Sequence, residues 1–242
     1  MLNAETIDIR TGRTVRPNEL RIPGDPIDNF PNIPVLPETL LMMELRSHDF
    51  SVDLQEMSQL VLGDLGAVLQ ILRLAAREYE DAAERPTRIE DCISALSIQA
   101  CLKAAAEQTV LSDLRHGGVL ELWAHAREVA QACRTVAATV DGAVQPEEAY
   151  LVGLTHALGS LPDLLGWQRP GPGCKRGEHA ATRLAECWSL PPCVQEFSRA
   201  WDRSELDNPW VEIVRLAHRI ARRSQQRCPL YLGLTPQLQP AL

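Results

Sequence analysis

The chain has 242 residues, of which 45% are hydrophobic, 23% charged and 5% aromatic, an apolar content that excludes wholesale disorder. Its net charge of -8 and isoelectric point near 5.3 exclude a nucleic-acid binder that works by bulk electrostatics. No apolar stretch approaches the roughly 20 residues of a membrane span, and the start Met1-Leu2-Asn3-Ala4-Glu5 has no secretory pattern; no membrane partner is therefore expected.

Residues 1–32 carry Pro17, Pro23, Pro26 and Pro31 and develop no apolar face. Proline fixes φ and removes a backbone donor, so this stretch is expected to be an extended arm. The alternation of Ile7 and Ile9 before Thr11-Gly12 leaves a short hairpin open as well.

From Pro37 onward the apolar spacing becomes helical. Pro37-Glu38 opens a helix with proline and acid in its first turn, and Asp53 and Asp64 stand where N-caps belong. Leu65, Val68, Leu69, Leu72 and Ala75 recur three and four residues apart, which predicts one apolar helical face. Ile89, Ile93 and Leu96 mark a further helix, and Ile98, Leu102, Ala105 and Ala106 the next. Between Val119 and Val140, the residues Leu122, Ala126, Val129, Cys133 and Val136 share one face. Pro146-Glu147-Glu148 starts another helix, with acids at the positive end of its dipole, and Gly159 is expected to end it in a left-handed turn. After the glycine- and proline-rich break 166–177, helices are expected to begin near Glu178, Pro191 and Pro209. The tail 225–242 carries Pro229, Pro236 and Pro240 and should be irregular. Strand-like alternation is absent from the helical region, so the fold is expected to be all-α, with about ten helices by periodicity.

The seven cysteines are odd in number and fall mostly on helical patterns, which reads as reduced thiols in a cytoplasmic protein. Cys174, His179, Cys187 and Cys193 can be drawn as a zinc site, but their gaps match no finger or ribbon. Gly171-Pro172-Gly173-Cys174-Lys175-Arg176-Gly177 lacks the Gly-Lys-Ser/Thr order of a phosphate loop and reads as a connection. The five tryptophans, Trp123, Trp167, Trp188, Trp201 and Trp210, read as core or interface anchors. Arg215, Arg219, Arg222 and Arg223 lie opposite Trp210, Val214, Ala217 and Ala221 on the last helix. The simpler reading of that basic face is exposure to water; the functional reading is a docking surface for an acidic partner or a phosphate.

Ordered along the chain, Ile33-Pro34-Val35-Leu36-Pro37, Gln70-Ile71-Leu72-Arg73-Leu74-Ala75, Ile89-Glu90-Asp91-Cys92-Ile93, Trp123-Ala124-His125-Ala126, Gly153-Leu154-Thr155-His156-Ala157-Leu158-Gly159 and Trp188-Ser189-Leu190-Pro191 resemble motifs of the HDOD domain family. That family is a regulatory relative of the HD metal-dependent phosphohydrolases. The resemblance runs over about residues 33–224 and implies a helical HD-like domain between the arm and the tail. It also implies a non-catalytic module of bacterial signal transduction that acts by binding signalling proteins.

The departures from the hydrolases bear on chemistry. The resemblance places His125 and His156 at two metal-ligand positions, but Ala157 stands where the hydrolases have the paired Asp, and Ala217-His218 stands where they have a distant Asp. Hard divalent cations need carboxylate oxygens, so no catalytic residue, cofactor or bound metal is expected, and His125, His156 and His218 are read as remnants. The alternative is a phosphohydrolase or phosphodiesterase with a changed, histidine-rich ligand set. It requires those three rings to converge.

Overall fold

Proline, aspartate and serine set where most of the helices begin. The computed structural model describes residues 6–7, 14–15, 33–48, 53–79, 81–107, 117–140, 144–165 and 179–224. Two units divide the chain, Met1–Pro31 and Asn32–Leu242. In the first, β1 (Thr6–Ile7) pairs antiparallel with β2 (Thr14–Val15), Thr6 opposite Val15. Apart from those strand residues, the arm expected over 1–32 lies outside the described residues, as do the tail 225–242, the segment 171–177 and Trp167.

The second unit is all-α. Its described residues form α1 (Pro37–Ser47), α2 (Leu54–Leu62), α3 (Leu65–Glu78), α4 (Ile89–Leu96), α5 (Ile98–Ala106), α6 (Gly117–Thr139), α7 (Pro146–Thr155), a 3-10 turn (Leu158–Ser160), α8 (Leu161–Leu164), α9 (Ala180–Cys187), α10 (Pro192–Asp202) and α11 (Pro209–Ser224). No single described helix is long and apolar enough to cross a membrane.

The caps follow from residue chemistry. Asp53 accepts a hydrogen bond from the Gln55 amide at 3.0 Å and starts α2. Ser97, with φ 76°, ends α4 and caps α5 by accepting from the Ala100 amide at 3.3 Å. Pro37 and Pro146 occupy first-turn positions of α1 and α7, where an amide would have no helical partner. At Gly63-Asp64 the chain turns by 116° between α2 and α3.

Asp64 does more than cap. Its Oδ1 accepts from the Gly66 and Ala67 amides and from Trp123 Nε1, while Oδ2 accepts from the Leu36 amide at 2.8 Å. Burial pushes this carboxyl above the usual carboxylate range, and the donors from Leu36, Trp123, Ala67 and Thr39 oppose that rise. Gly66 completes the arrangement. A Cβ there would lie 2.0 Å from the Pro34 carbonyl oxygen, so only glycine lets segment 33–35 cross the start of α3. Ile33 and Val35 are fully buried by that crossing.

The core lies where α6, α7 and α11 pack on one another and where α3 meets α4 and α5. Leu122, Ala126, Val129, Cys133 and Val136 of α6 are buried as their spacing predicts, while Val140 at its end is 50% exposed. In α5 the inward residues are Cys101, Ala104 and Ala105, so the buried face is rotated from the one that Ile98 and Leu102 suggest. On α1, Met43 is buried and Leu41 and Leu45 are exposed. Trp123, Trp188 and Trp210 are buried anchors, and Trp201 is half-buried against Phe197 with ring centroids 5.4 Å apart.

Gly159 departs from expectation. α7 ends at Thr155 with His156 in right-handed geometry, and Gly159 lies inside the 3-10 turn without a left-handed backbone. The chain keeps turning there because Leu158 and Leu161 on either side are fully buried; burial of those side chains outweighs the local preference of glycine for a terminating turn.

Candidate functional site

Two consecutive helices, α6 and α7, and the more distant α11 deliver one histidine each to a common point. His125 lies within α6, His156 caps the C-terminus of α7, and His218 belongs to α11. Their ring centroids are 5.3 Å (His125–His156), 5.2 Å (His125–His218) and 4.7 Å (His156–His218) apart. One ring nitrogen from each lies within 4.8 Å of those of the other two. His156 and His218 are buried and His125 is half-buried. The periodicity of α11 places His218 at the edge of its apolar face, yet packing encloses it almost as fully as the core.

Close approach of α6 and α7 makes this convergence possible. A Cβ on Gly153 would meet Ala130 Cα at 2.7 Å and Cys133 Sγ at 2.8 Å, distances that real Cβ atoms do not adopt. Glycine at 153 and alanine at 130 therefore let the two backbones nearly touch. That contact sits one turn before His156 and one turn after His125, so it governs how far apart their rings stand.

Gly153 also orients a ring. The His156 Nδ1 lies 2.6 Å from the Gly153 carbonyl oxygen. A carbonyl only accepts, so Nδ1 carries the proton and Nε2 keeps its lone pair. Burial, together with the neighbouring His125, holds His156 well below the ordinary histidine range, at about 3, although the bond to Gly153 pulls the other way. At neutral pH the ring is an uncharged donor of a lone pair.

Among the described residues the potential ligands that gather here are three imidazoles and no carboxylate. Ala157, next to His156, carries a methyl group and no ligand atom. The arrangement suits a metal that favours nitrogen and offers nothing to a hard, oxygen-seeking cation.

The Cys174, His179, Cys187 and Cys193 set, whose spacing matches no zinc pattern, is not brought together among its described members. Cys174 lies outside the described residues. His179, in left-handed geometry before α9, faces Asp202 at 4.0 Å instead. Cys187 is exposed, whereas Cys193 is buried and its thiol is pushed up to about 12 by burial. Arg215 and Arg219 are exposed and point away from buried Trp210, Val214, Ala217 and Ala221; the side chains of Arg222 and Arg223 are outside the description.

A cleft of about 300 Å³ escaped the sequence reading. Gln59, Arg88, Glu90, Arg134, Glu148 and Tyr150 line it together with Pro191. These residues come from α2, α6, α7 and the starts of α4 and α10 and follow no common spacing, so no motif announces them. Tyr150 is tied down there by donating to the Leu62 carbonyl at 3.0 Å.

The family model for the HDOD domain matches residues 33–165, which include His125 and His156. Two solved structures of the MmoQ response regulator from Methylococcus capsulatus str. Bath share the fold. One is 18% identical with a TM-score of 0.61, covering 85% of this chain and 95% of that one. The other, a fragment spanning 20–298, is 19% identical with a TM-score of 0.60, covering 87% and 92%. No curated protein matches the chain.

Proposed function

The chain belongs to the HDOD domain family, and from that premise we propose that it is a non-catalytic regulatory module of bacterial signal transduction that works in the cytoplasm by binding other proteins. Its working unit is the helical domain over 33–224, carrying the arm and the tail as appendages. One observation carries the non-catalytic part. The ligands gathered at the position of a hydrolase metal centre include no carboxylate among the described residues, and Ala157 occupies the place of the paired Asp. A phosphoesterase of this lineage uses carboxylate oxygens to hold hard cations and relies on their charge to make bound water a nucleophile. Three neutral imidazoles offer no oxygen donor to such a cation.

The signalling context is supported by the description of the structural neighbour as a response regulator. The basic face of α11 is the surface we assign to a partner: Arg215 and Arg219 are exposed, and they project one turn apart, as a docking site for an acidic surface requires. Arg222 and Arg223 extend the same charge run in sequence.

Two measurements test the reading. Protein loaded with Mn²⁺ or Zn²⁺ should leave bis(p-nitrophenyl) phosphate and cyclic dinucleotides intact; turnover that is lost in His156→Ala would instead establish the phosphohydrolase. A photo-crosslinking residue at position 216 should give a discrete protein adduct in cells, abolished by Arg215→Glu/Arg219→Glu in a folded variant. An adduct unchanged by those substitutions would remove α11 as the docking surface.

A further inference from the structure

We propose that His125, His156 and His218 together bind one zinc ion, which clamps α6, α7 and α11 to one another. This goes beyond the partner-binding reading and does not depend on it. The carboxylates of a hydrolase centre are gone, but what has replaced them is not a scatter of unrelated side chains. It is a third imidazole, from α11, brought to the two that α6 and α7 supply.

Three features carry the assignment. The first is convergence. A zinc–nitrogen bond of ~2.0–2.1 Å in a tetrahedron separates neighbouring nitrogens by about 3.3 Å, and the nitrogens here lie within 4.8 Å of one another. Ring rotation on fixed backbones covers a difference of that size. The second is orientation. Zinc-binding histidines characteristically donate their other ring N–H to a carboxylate or a backbone carbonyl, which fixes the tautomer; His156 makes that bond to the Gly153 carbonyl at 2.6 Å. The third is ligand chemistry. Imidazole selects zinc, copper or nickel over magnesium, calcium or manganese, and zinc is the one of these that takes three nitrogens and a water in a tetrahedron without a redox partner.

The ion would act on the fold. Each ligand comes from a different helix or its cap, and α11 packs on α6 and α7 and, less extensively, on α10. Zinc would link α11, with its Arg215 and Arg219 face, to α6 and α7. Occupancy of the centre would thereby set how firmly that face is held.

The test uses the full chain stripped with chelator and then dialysed against zinc at micromolar free concentration. Elemental analysis should find about one zinc per chain. The melting temperature should rise by roughly 5–10 °C at a hundredfold excess of free zinc over its dissociation constant. His125→Ala and His218→Ala, each checked for helix content by circular dichroism, should lose both the ion and the rise. Cobalt in place of zinc should give the visible bands of a tetrahedral nitrogen–oxygen site without thiolate charge transfer. Stripped protein that takes up no zinc would overturn the proposal and leave an imidazole cluster held by hydrogen bonds alone. So would full uptake in folded His125→Ala and His218→Ala, or a thiolate band that disappears in Cys187→Ser, since either places the ion elsewhere. None of these outcomes bears on whether the α11 surface binds a partner.

Discussion

Trp123 Nε1 donates a hydrogen bond to Asp64 Oδ1 at 2.9 Å, joining the first turns of α6 to the cap of α3 across two fully enclosed side chains. Asp64 already holds the Gly66 and Ala67 amides and, through Oδ2, the Leu36 amide. One carboxylate therefore ties together the entry segment, α3 and the helix that carries His125. Replacing Trp123 by Phe keeps most of the apolar volume and leaves Oδ1 short of one donor. A loss of about 1–3 kcal/mol is expected, the cost of an unmet bond to a buried polar group, read as a lower urea midpoint with unchanged slope.

Gly153 is the second point where a small change should have a large effect. Its missing Cβ is what allows Ala130 and Cys133 to approach, so Gly153→Ala forces α6 and α7 apart and should cost about 1–3 kcal/mol by overpacking. The same substitution at Gly118, where a Cβ would meet only Leu164 Cδ2 at 3.5 Å, should be close to neutral. Equal effects at the two positions in thermal melts would contradict the close-contact account.

Stability should depend on pH through His156. Its folded pKa is lowered to about 3, while the unfolded ring titrates near the ordinary histidine value of about 6.5. Below that value the unfolded chain takes up a proton that the folded one refuses, so stability is complete above pH ~6.5 and falls as the pH drops toward 3. In chelator-treated protein the loss between pH 7.5 and pH 5 should be about 2 kcal/mol. His156→Gln, which does not titrate, should flatten the curve by that amount in denaturant melts at each pH.

The thiols should divide sharply in reactivity. Burial pushes Cys92, Cys101, Cys133 and Cys193 up to about 12, leaving almost no thiolate at pH 8, whereas Cys187 is exposed. Thiolate is the attacking species, so a disulfide reagent applied to native protein should modify Cys187 rapidly and those four only on unfolding. Peptide mapping by mass spectrometry after a short exposure reads the order directly. Fast labelling of Cys133 in native protein would mean that the α6–α7 contact opens readily.

Much of the architecture was legible because its causes are local. Asp53 and Asp64 cap helices through bonds that span only two or three residues, and the apolar period of Leu122 to Val136 marks the buried stripe of α6 wherever that helix lies. Where tertiary packing competed with local preference, packing prevailed. Gly159 yielded to the burial of Leu158 and Leu161, and the inward face of α5 turned toward Cys101 and Ala104. The cleft by Arg88, Arg134 and Glu148 left no trace in the sequence, since it exists only as the gap between helices.

By itself the sequence determined that the second unit is helical and which residues open its helices. These follow from side-chain identity and from a period of 3.6 residues, neither of which needs a partner element. Only the tertiary structure decided that His125, His156 and His218 meet. Their meeting depends on the angles and separations at which α6, α7 and α11 cross, and those are set by contacts such as Ala130 against Gly153 between residues remote in the chain.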